Sequence, residues 1–178
     1  MAGPFCESLV WFSALVVVIF PMDDIVLARV LHVLAVIHWI GGVSFVTLVV
    51  LPLAGRQTDK AFGRALFTMV ERRFSQQVAV SLPLAGVTGL WMCWRSELWS
   101  RFSDPHYWWM SAMAGLWLIF MLLIFVLEPR LHRRFAQRLE QAPDATYRRL
   151  TGLHIGLLSL SAVTILGVVG GAQGYFLF

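Results

Sequence analysis

Histidines are the residues of this chain best suited to chemistry. The chain has five, and one of them, His132, lies in a basic segment. The other four lie in or beside long apolar stretches: His32, His38, His106 and His154. Imidazole is the usual axial ligand of b-type haem in helical bundles, and it also binds copper. The chain has no nucleophile elbow, P-loop, dinucleotide fingerprint or zinc-protease motif. These residues therefore predict a haem or metal site.

Depth within the apolar stretches ranks the histidine pairs. At a helical rise of about 1.5 Å per residue, His32 and His106 lie about 13 and about 16 Å from the midpoints of their stretches, on the same side. His38 lies about 5 Å from the midpoint on that side, and His154 lies about 10–15 Å away on the other. We therefore expect His32 and His106 to be the axial ligands of the iron, with His38 and His154 in reserve.

The two histidines of the first stretch cannot both face one iron. Six residues separate His32 from His38, which is about 240° around a helix. We expect His32 to share the cofactor face with Trp39, and His38 to hydrogen-bond across the bundle. Partners at a similar depth are Thr88 and Thr164. The basic residue Arg29 could hold a haem propionate or anchor its helix at the membrane interface.

The elements that must position these side chains are membrane helices. Of the 178 residues, 58% are hydrophobic and 13% are charged, and the mean hydropathy is +0.73. A soluble domain carries about 25% charged residues, so the composition excludes a soluble enzyme. Four segments without Asp, Glu, Lys or Arg are long enough to span a bilayer, at about 30–52, 75–94, 107–127 and 150–176.

These spans predict an all-α protein, an integral membrane antiparallel four-helix bundle. The bundle would occupy residues 22–178, preceded by a short apolar segment, residues 1–21, whose placement the sequence leaves open. The basic segments 56–73 and 130–142 are expected to extend the helices beyond the membrane. Glycines within the spans let helices pack closely, and the glycine-rich faces are compatible with a homodimer.

The distribution of basic residues predicts the orientation. Most of the 14 Lys and Arg residues lie between the first and second spans or between the third and fourth. The positive-inside rule places these two loops in the cytoplasm and the C-terminus outside, which we expect for a multi-pass protein of the bacterial inner membrane. The basic character is thus a sign of topology. It favours anionic lipid headgroups as partners and argues against nucleic acid.

The first span, LHVLAVIHWIGGVSF, resembles the opening helix of the CopD-like family of small inner-membrane proteins. In that family a His is followed seven residues later by Trp and then by Gly-Gly, here His32, Trp39, Gly41 and Gly42. The likeness continues through Ser81–Met92, His106–Met110 and Arg148–Tyr175. It covers nearly everything from Leu27 onwards and implies a four-helix protein that handles copper.

The same helix also resembles that of the HemJ-type haem-binding membrane proteins. There the His that matches His32 is a haem ligand. Those proteins carry a Lys early in the third span, where this chain reads WWMSAMAG. The resemblance therefore implies haem binding, whereas the missing Lys argues against the protoporphyrinogen oxidation that those proteins perform.

These residues are compatible with three functions. The first is a membrane b-type cytochrome, a haem-dependent oxidoreductase that moves single electrons between the quinone pool and an acceptor at the outer face. The second is copper transport or copper handling by the same histidines with methionines. The third is a cofactor-free accessory subunit whose histidines only form hydrogen bonds. Cu(I) prefers sulfur ligands, and histidines outnumber them at the useful depths, which favours haem b.

Overall fold

A computed structural model describes residues 23–127, 130 and 143–175. These residues form four long helices and contain no strand, which confirms the all-α fold class. The apolar segment 1–21 and most of the basic segment 130–142 lie outside the described residues. The helices are α1, Asp24–Gly55; α2, Lys60–Arg95; α3, Trp108–Leu122; and α4, Pro143–Ala172.

Four helical segments are long and apolar enough to cross a membrane, so the chain is a multi-pass membrane protein; the third is Pro105–Leu127, which includes α3 and the short helical turns on either side of it. α1 contains a π-helical stretch at Val46–Val50, and another at Leu123–Leu127 continues α3. Two short 3₁₀ helices, Leu98–Ser103 and Pro105–Tyr107, link α2 to α3. Large apolar side chains on the outer faces are exposed, as expected of surfaces that contact lipid.

Aspartate caps set where the first two helices begin. The Asp23 carboxylate accepts a hydrogen bond from the Ile25 backbone N–H, so α1 begins well before the predicted apolar span. The Asp59 carboxylate accepts from the Ala61 and Phe62 backbone N–H groups and starts α2 at Lys60. One helix therefore carries both the basic residues 60–73 and the second apolar span.

The helices run antiparallel and give the bundle two chemically different ends. At the tryptophan-rich end, Arg95 of α2 forms a bidentate ion pair with Asp24 of α1, with Nε 2.7 Å from Oδ2. This end carries Trp91, Trp94, Trp99, Trp108 and Trp109. At the basic end, the ring of Tyr147 on α4 packs over Gly55 of α1. This end carries Arg56, Lys60, Arg64, Arg148 and Arg149.

Aromatic rings that fill glycine positions hold the bundle together. Phe74 occupies the space beside Gly42, Trp117 that beside Gly86, and Trp109 that beside Gly171. The Trp117 indole N–H also donates to the Leu82 carbonyl oxygen, 2.9 Å away. Around these contacts lies the middle of the core: Trp39, Val43, Val78, Leu82, Leu116 and Phe120. Lipid tails are as apolar as these side chains, so the hydrophobic effect does not drive membrane helices together. Close packing of this kind holds them together instead.

Candidate functional site

His32 is fixed against α2 by a hydrogen bond that determines its tautomer. Its Nδ1 lies 2.8 Å from the Ala85 carbonyl oxygen and 3.2 Å from Thr88 Oγ1. A carbonyl oxygen only accepts, so Nδ1 carries the hydrogen and donates it. The neutral ring then keeps a lone pair on Nε2, which has no hydrogen-bond partner in the described part of the chain. His32 is therefore a half-buried imidazole with a basic nitrogen available.

Small residues on α2 make room for this imidazole. A Cβ atom at Gly89 would lie only 3.2 Å from His32 Cε1, so a larger residue would press on the ring. Ser81, Ala85 and Gly89 follow one another at intervals of four and lie on one face of α2. This small-xxx-small pattern brings two membrane helices close together. It is the sequence signal for the histidine-facing surface, and our sequence analysis missed it.

His38 takes a different partner from those expected. Its Nδ1 lies 3.1 Å from Ser81 Oγ, whereas Thr88 contacts His32 and the Thr164 hydroxyl donates to the Leu160 carbonyl oxygen of its own helix. The expectation of a threonine partner is therefore wrong. Because α1 and α2 are antiparallel, residues further along α1 meet earlier residues of α2. The imidazole of His38 is exposed on the outer surface of the bundle.

His106 lies in the turn that precedes α3, at the tryptophan-rich end. Its Nδ1 is 3.0 Å from Asp104 Oδ1, and its backbone N–H donates to the same oxygen at 2.9 Å. These two contacts, the backbone one first, hold the pKa of Asp104 below its usual range. An ionised carboxylate only accepts hydrogen bonds, so Nδ1 of His106 is the donor. The side chain is 58% exposed.

His154 and His32 lie towards opposite ends of the bundle. Nδ1 of His154 lies 3.0 Å from the Leu150 carbonyl oxygen, one turn earlier in α4, and again donates to it. The ring is half-buried near the basic end. His154 therefore has the same tautomer as His32. The two residues lie too far apart along the bundle axis to bind the same group.

Trp39 lies in the middle of the bundle. Its side chain is 3% exposed and packs edge-to-face on Phe120, with ring centroids 4.8 Å apart. The indole Nε1 is buried and has no hydrogen-bond partner within the described residues. A buried polar group without a partner costs about 1–3 kcal/mol, so this N–H is a donor that a bound group could satisfy. Arg29 is exposed at the tryptophan-rich end.

The candidate site is thus the tryptophan-rich half of the bundle around His32. His32 and His106 lie at the same end, but no hydrogen bond or ring contact joins them: His32 contacts α2, and His106 contacts Asp104. The described residues hold no group of three or more His, Cys, Asp or Glu side chains that could bind a metal ion. Comparisons with models of protein families, with curated proteins and with solved structures find no match for this chain.

Proposed function

We propose that this protein is a membrane b-type cytochrome in which His32 is an axial ligand of haem b. The observation that carries the proposal is the His32 Nδ1–H hydrogen bond to the Ala85 carbonyl, which leaves Nε2 as the basic nitrogen. Histidines that bind metals usually donate their other ring N–H to a carbonyl or carboxylate, which fixes the tautomer and the ring plane. The resemblance of the first helix to haem-binding HemJ-type proteins supports the same assignment.

His106 is the proposed second ligand. Its Nδ1 is held by the Asp104 carboxylate, the acceptor that most strengthens an imidazole as a ligand. It lies at the same end of the bundle as His32, on the segment that leads into α3. Ligation by both residues would leave no open position on the iron, which favours electron transfer over the binding of oxygen.

Haem fits this donor set better than a bare copper ion. The porphyrin supplies four ligands of the iron, so one or two histidines are enough. The described residues bring no three His, Cys, Asp or Glu side chains together, and haem does not need such a group. Cu(I) prefers several sulfur ligands brought together. Copper handling is therefore the second candidate, and it predicts metal binding without a haem spectrum.

When bound, haem would supply the one-electron redox chemistry. The chain would supply the axial imidazole, the carbonyl that orients it and a low-dielectric surrounding of apolar side chains. The indole N–H of Trp39, which no described residue satisfies, would be a further donor for a bound group, and Arg29 would be a cation for a propionate at the bundle end. In this proposal the basic end lies in the cytoplasm of a bacterial cell, and electrons pass from membrane quinol to an acceptor outside.

An absorption spectrum of the purified protein tests the proposal. The protein is expressed with ample haem, purified in detergent, and measured air-oxidised and then reduced with dithionite. We expect a Soret band that shifts on reduction, with sharp α and β bands. His32→Ala should lose the bound haem, and His106→Ala should lose the six-coordinate spectrum. His38→Ala is the matched control and should keep both.

Two results would overturn the assignment. The absence of a Soret band in haem-supplied protein would exclude the cytochrome, and copper titration of the same sample would then test the second candidate. Full haem content in His32→Ala, or loss of haem only in His38→Ala, would move the axial ligand away from His32.

A further inference from the structure

A cleft with a basic rim opens between α1 and α4 at the basic end of the bundle. Its volume is about 340 Å³ and it is open to the outside. The residues that line it are Leu51, Pro52, Gly55, Arg56, Tyr147, Arg148 and Thr151. The apolar ones come from the last turns of α1, whereas the two arginines and the threonine give the cleft a polar rim.

The charged side chains among the described residues that line this cleft are all positive. Arg56 and Arg148 are exposed, and neither forms an ion pair with an acidic residue in the described part of the chain. No Asp or Glu is among the described residues that line the cleft. The Lys60 ammonium donates to the carbonyl oxygen of Gly55, one of the lining residues, at 3.4 Å. Guanidinium groups placed this way are suited to a phosphate oxygen, which they can bind through paired N–H donors.

Tyr147 forms part of the wall between the two arginines. Its ring packs against Gly55 and, edge-to-face, against Phe67, with centroids 6.1 Å apart. The side chain is 5% exposed, and its hydroxyl has no hydrogen-bond partner in the residues that the structure describes. This wall is therefore well packed, and it contains one hydroxyl group that no described residue satisfies.

The position of the cleft along the helices matches the depth of lipid headgroups. Leu51 and Pro52 end the first apolar span, and Arg56 follows Pro52 by four residues, about 6 Å along the helix. On the other wall, Arg148 lies two residues before Leu150, where the last apolar span begins. An acyl chain could lie on the apolar wall while the phosphate meets the arginines.

We infer that this cleft binds the headgroup of an anionic phospholipid of the phosphatidylglycerol class. A zwitterionic headgroup would bring an ammonium next to two guanidinium groups, which like-charge repulsion disfavours. Basic pockets between membrane helices are a recurrent form of anionic lipid site. The inference is independent of the haem proposal, because it uses none of the residues assigned to the haem.

Thermal unfolding in a neutral detergent tests the inference. The full chain is titrated with phosphatidylglycerol, phosphatidylcholine, glycerol phosphate or inorganic phosphate. We expect only phosphatidylglycerol to raise the unfolding midpoint in a saturable way, since a ligand of the native state stabilises it. Arg56→Gln and Arg148→Gln should each weaken the apparent affinity about 10-fold or more, the effect of losing a charge-assisted hydrogen bond.

Arg73→Gln is the matched control, because it removes the same charge from an exposed position of α2 that does not line the cleft. It should keep the affinity of the unchanged protein. Native mass spectrometry provides a second readout, in which one retained phosphatidylglycerol per chain should be lost in the cleft variants. Equal stabilisation by phosphatidylcholine, or unchanged affinity in both cleft variants, would overturn the lipid site. Equal stabilisation by inorganic phosphate would assign the cleft to a soluble phosphate instead.

Discussion

Substitutions at Gly89 test how tightly the His32 imidazole is held against α2. A Cβ atom there would lie 3.2 Å from His32 Cε1 and 3.5 Å from Nδ1, and 3.4 Å is where ordinary van der Waals contact begins. Gly89→Ala therefore needs a ring movement of only about 0.2 Å, the difference between these distances. Gly89→Val adds two carbons about 1.5 Å further out, which the imidazole cannot avoid without leaving the Ala85 carbonyl.

We expect Gly89→Val to destabilise the protein by about 1–3 kcal/mol, the usual effect of overpacking a well-packed site. For a chain of this size that is a fall of about 2–4 °C in the unfolding midpoint per kcal/mol. Gly115→Val is the control, since a Cβ atom at Gly115 meets no atom within 4 Å. If His32 binds haem, Gly89→Val should also reduce haem content, because the imidazole loses the bond that orients it.

A double-mutant cycle identifies the cause. In a His32→Ala background the ring is gone, so Gly89→Val should destabilise no more than Gly115→Val does. The interaction free energy between His32 and Gly89 should then equal most of the destabilisation caused by Gly89→Val alone. We expect it to lie in the range of about 0.5–3 kcal/mol that is seen for residues in contact. An equal penalty for Gly89→Val with and without the imidazole would refute the packing argument.

Two further predictions concern the tryptophan-rich end. Gly171→Ala places a Cβ in the space of the buried Trp109 ring and should destabilise by about 1–3 kcal/mol in thermal unfolding. Gly41→Ala meets no atom within 4 Å and should be neutral or stabilising; equal effects would contradict the packing. The lowered pKa of Asp104 means that its contacts with His106 stabilise the fold above the ordinary carboxyl pKa of 3.8 and are lost as the pH falls below it. The difference in unfolding midpoint between the unchanged protein and Asp104→Asn should therefore shrink as the pH falls below 3.8, and a constant difference would argue against this pair.

The spans could be predicted from sequence because membrane burial leaves a strong compositional signal. A run of about twenty apolar residues without charge allows few alternatives, and each of the four predicted runs coincides with an observed span, although the fourth run extends past Ala172, where α4 ends. The ends of the helices depend on local chemistry that hydropathy ignores. The Asp23 and Asp59 caps begin α1 and α2 several residues outside the apolar runs, although both caps can be recognised in the sequence.

The partners of the histidines could not be predicted from depth alone. Depth gives the position of a residue along the membrane normal, but a hydrogen bond also requires that the two residues lie on helix faces that contact each other. A step of six residues along α1, from His32 to His38, corresponds to a step of four back along α2, from Ala85 to Ser81. That register comes from the small-residue face of α2 and from Phe74 beside Gly42. Thr88 lies at the depth expected for a partner of His38 but faces His32.

The two proposed sites lie at opposite ends of the bundle and should act independently. Nineteen residues of α1 separate His32 from Leu51, which is about 28 Å along the helix axis. Effects of changes more than about 7–10 Å apart usually add when they share no partner. Between the two sites, the core of the bundle is packed by apolar and aromatic side chains. Among the described residues, no series of hydrogen bonds connects one end of the bundle to the other. We therefore expect a lipid bound at the basic end to change stability without changing the environment of His32, and a haem spectrum that responded to phosphatidylglycerol would require movement of α1 as a whole.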